Sequence, residues 1–330
     1  MESTRNKLIH LLSVSNDIFI SGQEISDKLN ISRSAIWKHM KELEKDGYII
    51  EAIRNKGYRI VDAPKKVSQN TIQWGLNTEW LGKTIYHKET TTSTQHIAHQ
   101  LAQVNSAHGT VVIADEQTAG KGRLSRQWHS AKQQGIWLSM IIRPNILPHL
   151  APQLTLLTAT VLADVLKHEL KLDPKIKWPN DIIMDDKKIA GILTEMQAEQ
   201  DQIQYIVIGM GINVNQQQID LPADIQDKAT SISIVSEKKW DITNLIQLIL
   251  VQFEETYAAY MRKGFSVIKE KWERYGYRIG EITRIKTHKE VNEIKIIGIA
   301  EDGALLAESL DGKVSKVYSG EIDWFDKGSF

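Results

Sequence analysis

Cysteine is missing from all 330 residues. Its absence excludes disulfides, thiolate metal centres and thiol nucleophiles, so any chemistry here rests on oxygen, nitrogen and backbone groups. A charge excess is missing too: 41 basic residues face 41 acidic ones. A role on nucleic acid must then be regional. Long apolar runs are scarce, and the best membrane-span candidate, Leu245 to Phe253, is interrupted by Gln247 and Gln252. No charged-then-apolar leader opens the sequence, and neither internal repeats nor low-complexity tracts occur. The expectation is a cytoplasmic protein with no membrane partner. Apolar content of 42% and charged content of 25% lie in the globular range, and the length predicts two or three domains.

What is present changes texture along the chain. Residues 1–64 have the rhythm of three short helices and a hairpin. Leu8, Leu11 and Leu12 mark the first helix. Ser21 and Glu24 form a capping-box pattern ahead of the second, which carries Ile25 and Leu29 on one face. Ser32 precedes the third, where Ile36, Met40 and Leu43 recur at helical spacing. "GYIIEAIRNKGYRIV" then alternates around Asn55-Lys56-Gly57, a hairpin signature. That order is a winged helix-turn-helix. Between residues 31 and 60, seven Lys and Arg outnumber four Asp and Glu. Ser32, Arg33, Ser34, Trp37 and Lys38 stand at the start of the third helix, placed to read a DNA groove, and Arg54 and Lys56 at the wing tip, placed on phosphates. The bland alternative is a small helical domain with a solvated charged face; the compact order of elements favours DNA.

"DAPKKVSQN", residues 62–70, reads as a linker. Residues 65–275 follow with strand-like runs 110–114, 136–142, 182–184, 189–196 and 205–214 among helical runs 93–104, 154–170, 242–261 and 265–275. Consecutive strands imply antiparallel neighbours, so an α+β fold is expected, a mixed sheet flanked by helices. Residues 276–330 carry four short strands with Asp302-Gly303 and Asp311-Gly312 as turns, enough for a small β-barrel.

Four motifs in the central segment carry possible chemistry. "ADEQTAGKGRLSRQWHS", residues 114–130, interleaves Gly120 and Gly122 with Lys121, Arg123 and Arg126 before Trp128. It matches neither a P-loop nor a dinucleotide fingerprint. It is either an anion-binding loop or a mobile surface loop with incidental charge. "KWPNDIIMDDKKIAGILTE", residues 177–195, is a hairpin with a basic tip whose Gly191 implies a close approach by something. "GMGINVN", residues 209–215, is a weak glycine pattern, as often a bulge as a nucleotide site. Ser93 or Thr94 in "TTTSTQHIA" could cap the next helix or hold a ligand.

Taken in order, "STQ" at 93–95, "GKGRLSRQW" at 120–128, "KWPND" at 177–181, "KKIAGILTE" at 187–195 and "GMGINVN" at 209–215 resemble the bifunctional biotin–protein ligases that also act as biotin-responsive repressors. The resemblance covers nearly the whole chain. It implies a class II synthetase-like ligase domain at the centre and an SH3-like β-barrel at the end. The implied activity joins biotin and ATP into biotinyl-5′-AMP. Biotin then passes to a lysine on the carrier domain of acetyl-CoA carboxylase or pyruvate carboxylase.

By the same resemblance, Arg123 engages the phosphate and carboxylate end of the adenylate, Arg126 lies along the polyphosphate and Trp128 packs on the adenine. Lys188 bridges the biotin carboxylate and the α-phosphate. Lys121 stands where the family usually has arginine, keeping the charge without the fork. Ser93, Thr94, Gln117, Gly120 and Gly191 match contacts to biotin, Leu193 and Gly209 its walls, and Asn213 and Ala229 nucleotide-side positions. Lys187 is expected to be solvated. ATP would bring Mg²⁺, held mainly by phosphates with Asp181 as a candidate ligand. Asp181 is also a candidate base for the acceptor lysine. The adenylate is expected to favour a homodimer whose two heads face operator DNA. Two other classes stay open: a regulator that only senses a small molecule, and a lipoate-transferring relative. The first would not need Arg123, Arg126 and Lys188, and the second should lack the "GKGR" stretch.

Overall fold

A computed structural model describes residues 4–13, 18–62, 64, 66–287 and 290–322. Two residues of the expected linker, Ala63 and Lys65, lie outside them, as do residues 323–330 at the end of the third expected domain. The chain divides into two compact units, residues 1–77 with 241–247, and residues 78–240 with 248–330.

The first unit begins with α1 (Thr4–Ser13), α2 (Gly22–Leu29) and α3 (Arg33–Lys45), followed by the hairpin of β1 (Ile49–Ile53) and β2 (Gly57–Asp62) and by α4 (Gln69–Gln73). Leu8, Ile25, Ile36 and Leu43 are fully buried and form its core. Ser21 caps α2 by accepting from Glu24 N, and Ser32 caps α3 by accepting from Ala35 N. The expected reciprocal capping box is half made, because the Glu24 carboxylate turns instead to Lys28 one helical turn on. Asn55 and Gly57 take positive φ in the turn, and a Cβ on Gly57 would sit 1.9 Å from the Ile20 carbonyl. Ile20 and Tyr58 exchange both backbone hydrogen bonds there, an isolated antiparallel bridge beside the two-stranded wing. Helix α4 begins inside the segment expected to be linker, started by a Ser68–Thr71 capping box.

The second unit contains β3 (Ile85–Thr91), α5 (Thr94–Gln103), β4 (Val111–Lys121), β5 (Gln127–Ser130), β6 (Gly135–Ile142), α6 (Pro152–His168), β7 (Lys175–Lys177), β8 (Asp181–Met184), β9 (Lys187–Glu199) and β10 (Gln202–Asn213). After these come α7 (Ile232–Ser236), α8 (Ile242–Lys263), whose first residues belong to the first unit, and α9 (Ser266–Tyr275). The sheet runs β3-β4-β6-β10-β9-β8-β7, with β5 paired to β4. Only β3 and β4 are parallel, and α5 is their crossover; the other pairs are antiparallel. This is the mixed sheet expected.

Helix α5 lays Ala98 and Ala102 over Val112, Ile141, Tyr205 and Val207. Alternation along the strands carries that face onward to Ser139, Gly209 and Gly211, where large side chains stop. Helix α6 lies on the opposite face, where Thr155 Oγ1 donates to Thr194 Oγ1 at 2.8 Å. The stretch Pro148–His168, not Leu245–Phe253, is the run long and apolar enough to cross a membrane by length and composition, and 78% of its window is buried inside the protein.

The tail forms β11 (Ile282–Lys286), β12 (Val291–Ile299), β13 (Leu305–Ser309), β14 (Val314–Val317) and β15 (Glu321–Ile322), an antiparallel sheet in the order β14-β13-β12-β11-β15. Strand β15 was not legible in the sequence. The register shifts between Ile296 and Gly298, bending the sheet. These five strands make the small antiparallel β domain expected at the end of the chain.

Candidate active site

The glycines of β9 and β10 face one another. The register sets Gly191 opposite Gly211 and Leu193 opposite Gly209, leaving three of these four positions without side chains. The Trp128 indole lies on this strip of sheet. A Cβ on Gly211 would approach Trp128 Cε2 and Nε1 to 2.4 Å, and one on Gly191 would approach Trp128 Cζ3 to 2.9 Å. The strip floors a cavity of about 580 Å³, within the usual size for a small-molecule site. Ser93, Thr94, Gln117, Lys121, Arg123, Arg126, Trp128, Asp181, Lys188, Gly191, Leu193, Gly209, Asn213 and Ala229 all line it, whereas Gly120 does not.

The stretch read as either an anion-binding loop or a mobile surface loop is mostly a β-hairpin. Strand β4 continues through Gly120 and Lys121, and β5 returns beside it with Gly120 opposite Trp128. Gly120 is a packing glycine, since a Cβ there would lie 2.6 Å from the Trp128 carbonyl and 2.9 Å from Ser130 Oγ. The left-handed residues of the turn are Leu124 and Ser125.

Arg123 and Lys188 meet partners at Asn180 and Asp181, and Arg126 meets one in the tail. Arg123 Nη1 donates to Asn180 Oδ1 at 3.2 Å, while Asn180 Nδ2 donates to the Ile192 carbonyl at 2.8 Å. Burial pulls the Arg123 pKa below its ordinary value, opposed by Asp181 and Glu321. The group stays charged all the same. Lys188 Nζ stands 2.6 Å from Asp181 Oδ1 and 5.1 Å from the centre of a Trp128 ring. Asp181 Oδ1 is buried against that ammonium, and buried Trp128 Nε1 has no hydrogen-bond partner among the described residues. Arg126 pairs with Glu321 of β15 at 2.7 Å, a contact the sequence did not suggest. Lys187, expected to be solvated, is half-buried and donates to the Gln226 carbonyl at 3.4 Å.

The opposite end of the cavity is polar and closely networked. Ser93 precedes α5 and is buried, but its hydroxyl makes no capping hydrogen bond. Gln117 caps the helix instead, its Oε1 accepting from Thr94 N at 2.8 Å and from Thr94 Oγ1 at 3.1 Å. Gln117 Nε2 donates to Ser130 Oγ at 2.9 Å. Thr94 Oγ1 also lies 2.9 Å from Ser139 Oγ. Asn213 lines the cavity with both polar atoms engaged, Nδ2 donating to the Thr230 carbonyl and Oδ1 accepting from Gln216 Nε2. Its role in this structure is to fasten the 229–231 segment beside β10. Ala229 sits in that segment, zipped to Lys188 by the pairs Lys188 N to Lys228 O and Thr230 N to Lys188 O.

Sequence reasoning missed Gln95, Ser139, Asn180 and Lys177, all buried in the cavity wall. Ser139 had a signal: it is the one hydroxyl in "GIWLSMII", an otherwise apolar strand. Among the described residues no cluster of three His, Asp or Glu suits a metal ion.

In the first unit, Ser32, Arg33, Ser34, Trp37 and Lys38 are exposed around the start of α3, and Arg54 and Lys56 at the hairpin turn. Trp37 keeps 58% of its surface exposed, unusual for an indole with no task at the surface. Ser32 Oγ is committed to its cap and to Ser34 Oγ at 2.9 Å, and Arg33 Nη2 donates to Gln23 Oε1 at 2.7 Å.

A profile of the Biotin/lipoate A/B protein ligase family matches residues 87–213. An HTH domain profile matches 4–59, and a Biotin protein ligase C terminal domain profile matches 279–324. The Bifunctional ligase/repressor BirA of Bacillus subtilis (strain 168) is 47% identical over 98% of this chain and 99% of its own length. That of Escherichia coli (strain K12) is 29% identical over 96% and 95%. Among solved structures, the biotin protein ligase of Aquifex aeolicus in complex with biotin and ATP superposes with a TM-score of 0.63 at 29% identity, covering 73% of this chain and 98% of that one. With a winged head, a cation-lined cavity on a mixed sheet and 47% identity over almost the full length of a relative, the chain belongs to the family of bifunctional biotin ligase/repressors.

Proposed function

We propose that the chain activates biotin with ATP, forming biotinyl-5′-AMP and pyrophosphate, passes biotin to a lysine of a carboxylase carrier domain, and represses transcription through its head. The observation that carries this function is the polarity of one cavity. Arg123 and Lys188 stand at one end and the uncharged network of Ser93, Thr94, Gln117 and Ser139 at the other. Joining a carboxylate to a phosphate brings two anions together, so cations placed at the junction stabilise the transition state without a protein nucleophile. A cyclic urea, neutral and rich in donors and acceptors, suits the uncharged end.

In this assignment Lys188 spans carboxylate and α-phosphate, Arg123 holds the same junction, Arg126 exchanges Glu321 for the polyphosphate, and Trp128 offers its ring to adenine. Lys121, Gly191, Leu193 and Gly209 flank biotin, with Gly120 acting through Trp128 rather than by contact. Asn213 and Ala229 shape the nucleotide side. Mg²⁺ would be carried mainly by phosphate oxygens with Asp181, paired here with Lys188, as the candidate protein ligand, because no cluster of three His, Asp or Glu among the described residues suits a metal ion. Asp181 is also the candidate to take the acceptor lysine's proton. Ser32, Arg33, Ser34, Trp37, Lys38, Arg54 and Lys56 would meet operator DNA, and the adenylate would favour the homodimer that reads two half-sites. The protein would act in the cytoplasm, where its carboxylase acceptors are made. Incubation with ATP, Mg²⁺, biotin and a carrier domain tests the function: pyrophosphate release with labelling of one lysine is expected. Turnover with lipoate and none with biotin would refute it.

A further inference from the structure

Lys177 is a buried cation with no part in the adenylation assigned to Arg123 and Lys188. It is 3% exposed and lines the cavity. The sheet register places it. Lys177 on β7 lies directly opposite Asp181 on β8, Asp181 opposite Gly191 on β9, and Gly191 opposite Gly211 on β10. Directly paired residues share a face of a sheet, so one row crosses four strands with its side chains toward the cavity. Trp128 covers the two glycines at one end of the row. The Lys188 ammonium lies over Gly191, 3.2 Å from where a Cβ would stand, and pairs with Asp181 at 2.6 Å. Lys177 is the next charge along, beyond Asp181. Neighbouring strands are about 4.8 Å apart, so lysines rooted on β7 and β9 bracket the space above Asp181 from either side.

A buried ammonium costs stability even when it is paired, and an apolar side chain would serve better if the position only filled space. Adenylation gives the charge a use. A carboxylate oxygen of biotin bonds to the α-phosphorus while the bond from that phosphorus to the oxygen bridging the β-phosphate breaks, and the electron pair leaves with pyrophosphate. Negative charge thus gathers on the leaving oxygens, one step beyond the junction held by Arg123 and Lys188. Arg126 serves that charge less well, since its side chain is 65% exposed and paired to Glu321. A cation shielded from water stabilises such charge more strongly. We propose that Lys177 is a further catalytic residue of the adenylation step, whose ammonium meets the departing pyrophosphate. The proposal rests on the proposed ligase function. It adds a contact that the transfer step does not need, because that step releases AMP and no pyrophosphate.

The test separates the two half-reactions in the full chain. Lys177→Met replaces the ammonium by an apolar side chain of similar length, and Asp181 keeps Lys188 as its partner. Isotope exchange between pyrophosphate and ATP, with biotin and Mg²⁺ present, reads the first step. Labelling of a carrier domain from added biotinyl-5′-AMP reads the second. In Lys177→Met the exchange rate should fall roughly a hundredfold, with a raised KM for pyrophosphate. Transfer should keep most of its rate, and calorimetry should give an unchanged affinity for biotin. An exchange rate and pyrophosphate KM like those of the wild type would overturn the proposal. So would an equal loss in both half-reactions, which would assign Lys177 to the shape of the cavity. Should the methionine variant fail to fold, Lys177→Arg keeps the charge and displaces it. A changed KM for pyrophosphate with transfer intact then upholds the contact, and any other result removes it. A wild-type chain that performs no exchange would instead refute the ligase function. Calorimetry of pyrophosphate on the wild type and on Lys177→Met would still decide the contact.

Discussion

Gly211 illustrates how far one missing side chain reaches. Its Cβ space is taken by the Trp128 indole, and Gly191 opposite leaves room for the rest of the ring. Gly211→Ala should push Trp128 off the strip, costing about 1–3 kcal/mol as overpacking does. Thermal denaturation would measure that cost. The KM for ATP should rise in the same variant, because the ring offered to the base has moved. Arg123→Gly removes a half-buried guanidinium from the junction of the two anions. Its expected result is escape of the adenylate into solution and labelling of many lysines instead of one, scored by blotting a mixture of proteins; strict retention would deny Arg123 its role. His108 carries a pH prediction. Its ring stacks on Trp80 at 4.1 Å, Nδ1 accepts from Arg143 N at 3.0 Å, and burial, then Arg143, lowers its pKa from 6.5. A base with a depressed folded pKa is protonated first in the unfolded chain. Stability should therefore fall as pH drops below about 6.5 and level off once the folded pKa is passed. His108→Asn keeps an acceptor for Arg143 N and should flatten that dependence of melting temperature on pH.

At the scale of elements, periodicity and caps gave a sound account of the head: Ile25, Ile36, Met40 and Leu43 are buried where helical spacing put them. The main strands of the central sheet were legible for the same reason, each being an apolar run. Strands β3 and β5 were not. "IYHKETT" and "QWHS" are polar edge segments, whose strand character comes from pairing with β4 rather than from their own composition. The hairpin of β4 and β5 was not legible as one because glycine has two uses. Its conformational freedom suggested mobility, but Gly120 and Gly122 lack positive φ, and Gly120 serves close packing. The cation set could be read from motifs. The row behind it could not, because Lys177, Asp181 and Gly191 come from three separate strands that only the sheet register brings together. Capping chemistry at this scale is testable in the head. Ser32→Ala removes the acceptor for Ala35 N and should cost about 1 kcal/mol, read by chemical denaturation of the intact chain.

The whole chain balances its charges, yet its two activities should respond to salt differently. The exposed cations of the head, Arg33, Lys38, Arg54 and Lys56, face solvent and would neutralise phosphates on DNA. Binding through such contacts releases counterions, so log affinity falls linearly with log salt, by about 0.9 per phosphate neutralised. Arg123 and Lys188 are half-buried beside Asn180, Asp181 and Trp128. Mobile ions screen such groups much less than exposed ones. Raising salt from roughly 50 to 200 mM should therefore weaken operator binding by orders of magnitude while ligation changes little. Lys56→Ala should lower the salt slope of DNA binding by about 1 and reduce affinity evenly across sequences, as loss of a phosphate contact does. Trp37→Ala, lying on α3 rather than at the hairpin tip, should leave the slope unchanged and relax sequence preference. Fluorescence anisotropy with operator and scrambled duplexes at several salt concentrations separates the two effects. Equal slopes in the wild type and Lys56→Ala would take the hairpin tip off the phosphate backbone.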